Sequence, residues 1–467
     1  MRRAALMGRG RVDLTQGPVF SNLLAFSIPI LLGTIVTQLY NVADSVIVGQ
    51  FVGADALAAV SASSPVMSLI NMFMIGLSTG STVVIAQRVG AKNVQALQKA
   101  IGTIACLTLL CSLFITVVGL LVSKPLLVAL GTPEAIFGDS LAYLIVIYLG
   151  TTGNMIYQMG SGALRGMGDS SWPFLFLLLC SGLNVVLDLI AVLVLHMGVM
   201  GVAIATAISQ LVSGIGIIRR INAGEYGVRL SLPMLRMDAR ETRQVVGIGL
   251  PAAIQNIGNA ISSLCVQSSV NVFGAQVIAA NSIVTKVDDM INIPVVALST
   301  ALCTFVGQNM GTLNLDRIKK GINGSIACLC GLGVGLCALL IALRNVLPLL
   351  FTSDPTVVAC AADGLFIMSF MCLFHGIDRC LVNAMRGAGK SVVPMITAQF
   401  GALSRIPLAY YLAVKTGHYQ GLFYALLIAS FLRAMAIAVY YYMGGWKHAV
   451  EKFKQRQKEE QAEAELA

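Results

Sequence analysis

QRVGAKN at residues 87–93 returns as QNMGTLN at residues 308–314, about 221 residues later. At the same spacing Ala163-x-Arg165-Gly166-x-Gly168 meets Ala384-x-Arg386-Gly387-x-Gly389, Gly53-Ala54 meets Gly274-Ala275, Leu77-Ser78-Thr79 meets Leu298-Ser299-Thr300, and Pro173 meets Pro394. One spacing that serves every match is the signature of a tandem duplication. Working outward, both copies of the motif close long apolar stretches, so the duplicated unit is a set of membrane spans. Repeated membrane halves usually hold a substrate site at their interface near the bilayer midplane.

Composition agrees. The 467 residues are 57% hydrophobic and 11% charged, with a mean hydropathy of +0.83, whereas soluble domains carry about 25% charged residues. Twelve apolar stretches are long enough to cross about 30 Å of hydrocarbon as helix. They fall near 20–46, 56–85, 95–122, 137–163, 171–195, 198–219, 242–271, 277–306, 318–343, 356–384, 392–414 and 419–443. The net charge of +10 is not a nucleic-acid patch, because the bases lie at the ends of spans. Arg2, Arg3, Arg9 and Arg11 precede the first span, Arg88, Lys92 and Lys99 follow the second, and six arginines from Arg219 to Arg243 follow the sixth. Arg317, Lys319 and Lys320 follow the eighth, and five bases from Lys447 to Lys458 follow the twelfth, while the opposite loops hold only Lys124, Arg344 and Lys415. By the positive-inside rule both termini are cytoplasmic. Six spans per half give the halves the same topology, so the repeats are parallel.

The domain reading is a basic lead over 1–19, a six-span lobe over 20–219, a polar linker over 220–241 that includes Glu225, a second lobe over 242–443, and a charged tail over 444–467. No cleavable signal peptide is expected, since the basic start leads through Asp13, Thr15 and Gln16 into a full-length span. The eleven cysteines lie mostly inside apolar spans and imply no disulfide framework. The paired RGxG segments read as helix C-caps, with glycine at positive φ and arginine toward the carbonyl ends and headgroups. A nucleotide loop is excluded: no GxxxxGK[ST] run exists.

Charge is costly at bilayer depth, which makes ionisable residues inside spans functional candidates. Asp44 lies in span one, Asp188 in span five, and Thr206 in span six. Tyr40 is four residues before Asp44 and Asn184 four before Asp188, so each pair shares a helix face. Two carboxylates, an amide oxygen and hydroxyls suit dehydrated Na⁺, and carboxylates in a dry pocket also carry H⁺. The plainer alternative makes Asp44 a cap near the outer surface and Asn184 and Thr206 packing contacts. In the second half, Lys286, Asp288 and Asp289 fall in span eight, with His375, Asp378 and Arg379 in span ten. Signs balance there, and Lys286 with Asp289 reads either as a neutral structural pair or as part of a substrate or proton site. Arg405 and Arg433 are placed to snorkel or to pair with these acids. Met67, Met72 and Met74 read as core packing or as the lining of an adaptable cavity. Pro29 and Pro251 occupy matching places in spans one and seven, and Pro29 next to Asp44 is a candidate gate.

These residues resemble the multidrug and toxin extrusion (MATE) family across essentially the whole chain. The resemblance rests on SIPILLGTIVTQLYNVADSVIVGQ, GADALAAVSASSP, QRVGAKN, QNMGTLN, LRGMGDS and MRGAGKS. It implies an all-α membrane fold of two six-helix bundles in a V, with a cavity that alternates its access. One branch of the family is similar in holding a cation site in the first lobe; the matching positions here are Asp44, Asn184, Asp188 and Thr206, with Tyr40 beside them and Na⁺ or H⁺ as the ion. In another branch an acidic pair in spans seven and ten carries the ion, and those positions correspond here to Asn259 and His375.

The expectation is therefore a non-enzymatic, monomeric, multi-pass protein of a bacterial inner membrane. It would export organic, cationic and amphipathic small molecules against H⁺ or Na⁺, with no cofactor beyond the coupling ion and with lipids as its surroundings. The alternatives are a lipid-linked saccharide flippase, an exporter of one narrow metabolite, and a membrane transferase using Asp288 and Asp289. The flippase would need a cavity rich in cations, and the transferase would need its paired acids in a cytosolic loop.

Overall fold

Every repeated motif takes the same conformation twice in the computed structural model, which describes residues 12–223, 226–446, 450–451, 453–455 and 459. Arg2, Arg3, Arg9, Arg11, Glu225, Lys447 and Lys458 lie outside the described residues. Asn93 caps the helix that follows it by accepting from Ala96 N at 3.0 Å, and Asn314 does the same from Arg317 N at 3.1 Å. The residue before each asparagine sits in the left-handed region, Lys92 at φ 56° and Leu313 at φ 58°. At the paired RGxG segments Gly168 and Gly389 adopt φ 89° and 80°, and the amides of Asp169 and Lys390 reach back to Leu164 O and Met385 O. Glycine is needed there because a Cβ would disfavour that turn. The arginines do not point to headgroups as expected: Arg165 Nη2 donates to Ser78 Oγ at 3.2 Å and Arg386 Nη2 to Gln255 Oε1 at 2.6 Å. A neighbouring helix offers each guanidinium an acceptor within reach.

The chain is helical, with no strand among the described residues. The helices are α1 (Val19–Ile47), α2 (Ala54–Gly90), α3 (Val94–Ala129), α4 (Glu134–Gly166), α5 (Ser171–Leu189), α6 (Gly198–Asn222), α7 (Ala239–Asn271), α8 (Ala275–Gly311), α9 (Leu315–Leu343), α10 (Pro355–Ser369), α11 (Met371–Gly387), α12 (Val392–Ala409) and α13 (Gln420–Tyr442). Ten helices are long and apolar enough to cross a membrane, and α10 with α11, bent by 47°, makes an eleventh span. The twelfth is α7, whose hydropathy is diluted by Gln255, Asn256, Asn259, Ser262, Ser263 and Gln267. Span ten reads as one helix in the sequence, yet the structure breaks it at Phe370 without a proline. The Ser369 hydroxyl donates to Phe366 O at 2.7 Å and so takes an acceptor from the helical ladder.

Two compact units result: residues 1–14 with 25–253, and residues 15–24 with 254–467. In the first, α2 is central, with 61% of its apolar window buried against 33% for α3. Leu113, Phe114 and Leu121 of α3 are exposed, as a lipid-facing helix requires. Small residues let helices touch: a Cβ on Gly153 of α4 would lie 2.7 Å from Leu211 N of α6, and one on Gly166 would lie 2.6 Å from Thr82 O of α2. In the second unit α8 takes the central role, also with 61% of its window buried, and a Cβ on Gly387 would lie 2.5 Å from Cys303 O. Its core is built from Ile283, Val284, Leu365, Met368 and Phe423.

Candidate functional site

Two breaks in regular helix bracket the polar residues of the first unit. Helix α1 runs through Pro29 without interruption and passes at Val48–Val52 into a π-helical turn, and α5 does the same at Ile190–Val194. Such turns displace carbonyls from the ladder and are frequent at functional sites. Asp44 lies one turn before the first and Asp188 immediately before the second, and the structure brings them together, each carboxyl within the field of the other.

The remaining members close around them. The Asn184 amide, with its NH₂ toward Asp188, donates to Asp188 Oδ2 at 2.9 Å, and its oxygen accepts from the Thr206 hydroxyl at 3.2 Å. The Tyr40 hydroxyl is bonded to the Thr206 side chain. Asn184 and Asp188 have no exposed surface, Thr206 is buried, and Asp44 and Tyr40 are half-buried. All five residues picked out in the sequence therefore form one cluster spanning α1, α5 and α6. Two of its oxygens, Asp44 Oδ1 and Asp188 Oδ1, find no hydrogen-bond donor. A buried carboxylate oxygen without a donor is costly unless a proton or cation serves it.

The sequence reading missed Tyr143 of α4, a buried residue whose hydroxyl lies within the field of both Asp44 and Asp188. It also missed Cys180, four residues before Asn184 on the same face of α5, which is bonded to the Ser209 and Ser213 hydroxyls. The four-residue step Cys180, Asn184, Asp188 was a usable signal; Tyr143, alone in its stretch, offered none. No group of three or more His, Cys, Asp or Glu able to hold a metal occurs among the described residues. The donor set is two carboxylates with neutral oxygens, which fits H⁺ or Na⁺ better than a divalent ion.

Between α4 and α5 Asp169 is fully buried. Its Oδ1 accepts from Ser171 N and Trp172 N, both at 3.1 Å, and its Oδ2 accepts from the Tyr226 hydroxyl at 2.6 Å. Burial pushes this carboxyl above the usual range, against the Tyr226 and Trp172 hydrogen bonds and the Arg220 charge. Arg88 and Glu241 form a second buried contact, at 2.7 Å.

The second unit departs from the expected balance. Lys286 and Asp289 are both exposed and form no ion pair among the described residues; the Lys286 ammonium lies 6.0 Å from the Phe351 ring centroid instead. Three residues apart is within reach on a helix, but a long flexible stem and an exposed position give that pair little hold. Asp378 is taken up by Arg433, through Nε to Oδ1 at 2.9 Å and Nη2 to Oδ2 at 2.6 Å. Asp288 lies in the field of Arg379 and Arg405. His375 sits among Arg379, Asp378, Arg433 and Arg405. Three arginines thus stand against Asp288 and Asp378, so the signs do not balance. Asn259 is half-buried on α7 and its Oδ1 finds no donor.

Comparison with known proteins bears on both units. The MatE family model matches residues 29–190 and again 251–411, once in each repeat. "Probable multidrug resistance protein YoeA" of Bacillus subtilis (strain 168) is 27% identical over 92% of this chain and 94% of its own length. "Probable multidrug resistance protein YpnP" of the same strain is 29% identical over 93% and 97%. A protein of Shewanella oneidensis named "FAD transporter" is 26% identical over 93% and 96%. Among solved structures, a MATE in the bent conformation superposes with a TM-score of 0.87 at 22% identity, covering 95% of this chain and 98% of that one. That likeness carries the fold.

Proposed function

We propose that this chain, which belongs to the MatE family, is a multi-pass membrane exporter that drives organic solutes out of the cell in exchange for a cation bound at Asp44, Asn184, Asp188 and Thr206. The observation that carries this reading is the convergence of Asp44 and Asp188 with Asn184 and Thr206 in one buried cluster, each carboxyl keeping an oxygen that no donor serves. Two neighbouring carboxyls in a dry site cannot both stay charged cheaply, and a proton on one relieves them, so H⁺ is the coupling ion we favour. The oxygen-only donor set supports Na⁺ as the second reading. Relatives named for multidrug resistance support organic solutes as the cargo, and the Lys and Arg at the linker end of the spans support cytosolic termini in a plasma membrane.

Coupling would work by competition between states. The cation favours the arrangement of α1 in which Asp44 meets Asp188, the solute favours another, and each ligand promotes release of its competitor. Pro29 gives α1 a place to flex, because it lacks the N–H that would tie it to the preceding turn.

The test is efflux of a fluorescent organic dye from liposomes holding the purified protein, with a pH gradient or a Na⁺ gradient imposed separately. Asp44→Asn and Asp188→Asn should each reduce gradient-driven efflux to background while the protein remains folded. Wild-type rates in both variants would remove these residues from the coupling site.

A further inference from the structure

We propose that the arginine cluster inside the second unit, Arg379 of α11 and Arg405 of α12 with Asp288 of α8 between them, binds an acidic group, carboxylate or phosphate, of the solute that is exported. The inference rests on the exporter reading and adds its substrate class. It runs against the cationic solutes expected from the sequence.

Neither the Arg379 nor the Arg405 guanidinium makes a hydrogen bond or an ion pair within 4.0 Å among the described residues, and Arg405 Nε is buried without an acceptor. Arg433, by contrast, is held by Asp378 through both oxygens. Asp288 faces both free guanidiniums, but one carboxylate cannot neutralise two cations. Asp289 is exposed and is absent from the charges that act on them. Arg386, two turns along α11, adds a further positive charge paired only with the neutral Gln255 amide. A guanidinium kept inside a membrane span without a partner is costly. It is also the group best shaped to take a carboxylate or phosphate through two parallel hydrogen bonds.

Packing keeps the cluster from dissolving into internal pairs. Asn292 Nδ2 donates to the Asp288 carbonyl at 2.9 Å and Asn383 Nδ2 to the Arg379 carbonyl at 3.0 Å, one helical turn apart in each case, which fixes the amides beside the charges. A Cβ on Gly401, one turn before Arg405, would meet Arg433 Cβ at 2.8 Å, so α12 packs tightly against the stem of Arg433, whose head is already held by Asp378 of α11. The structure therefore leaves Arg379 and Arg405 as the two cations available to a ligand.

The experiment is equilibrium binding to the purified full-length protein in phosphatidylcholine nanodiscs, read by fluorescence anisotropy. The probes are carboxyfluorescein, a fluorescent mononucleotide, and ethidium as the cationic counterpart. The expected result is that at least one anionic probe binds, and that Arg379→Gln and Arg405→Gln each weaken it by roughly tenfold or more, with Arg405→Lys recovering part of the loss and ethidium binding unchanged. Anionic probes that fail to bind wild-type protein, or that bind both glutamine variants as well as wild type, overturn the proposal. Adding phosphatidylglycerol to the nanodiscs separates the sources: if it displaces the probe, the acidic group recognised is a lipid headgroup, and the assignment of the cluster stands. Asp188→Asn separates this proposal from the exporter reading. Anion binding that persists in Asp188→Asn and is lost in the two glutamine variants, with no gradient-driven movement of any probe even in wild type, would sink the exporter reading and leave the cluster intact.

Discussion

Asp188 has no exposed surface, one oxygen held by Asn184, and one that no donor serves. Replacing it with Asn removes the charge at nearly constant volume, so a loss of gradient-driven efflux in a folded variant would report on charge and not on packing. Buried charges elsewhere in the same unit are structural, and their variants should behave differently. Removing the Glu241 carboxylate leaves Arg88 buried beside it without its ion-pair partner. Glu241→Ala should cost about 3–5 kcal/mol of stability, visible as a lowered melting temperature in detergent. Asp169 carries the pH prediction. Its folded-state carboxyl sits above the ordinary range because of burial, so the stability tied to it is fully present below the unfolded value and is lost as pH rises through the folded one. Lowering the pH from 7 toward 4 should therefore raise the stability of the fold, by relieving the burial of the charged carboxylate, and Asp169→Asn should flatten the wild-type pH slope of the melting temperature over that window. An unchanged slope would remove Asp169 from the account.

At the scale of elements, helix contacts made by single glycines are the sensitive points. Gly166→Ala and Gly387→Ala each place a methyl within 2.6 Å of a facing carbonyl, and the helices must shift to admit it. Each should destabilise by about 1–3 kcal/mol, and the equality of the two effects tests whether the halves still pack alike. Much of this level was legible in sequence. A motif that caps a helix, such as Asn93 or Asn314, acts through its own neighbours, so its repetition predicts repeated structure. The same held for Asn184 and Asp188, whose four-residue step put them on one face before any partner was known; Cys180 continues that step and was overlooked. What the sequence could not reveal were contacts set by tertiary placement: the break at Phe370 and Tyr143 beside the two carboxyls; that Arg433 pairs with an acid of the neighbouring span was expected, though not which one. Counting charges along one span made the second half look neutral, because Arg405 and Arg433 arrive from helices that the spacing does not link to Asp288.

At the scale of the whole molecule, two repeats of one family have diverged in charge. The first holds acids around a candidate cation site, and the second holds an excess of arginine. An exporter built this way would let a proton and an acidic solute occupy different units, so their competition must act through conformation and not through a shared pocket. The most direct test is reciprocal. An outward gradient of ethidium or carboxyfluorescein is imposed on liposomes containing the protein, with no pH difference at the start, and internal pH is followed with a trapped dye. Export of whichever solute is carried should move protons the opposite way, and Asp188→Asn should abolish the pH response. Solute movement in the wild type with no change in internal pH, and none in response to Na⁺, would contradict it.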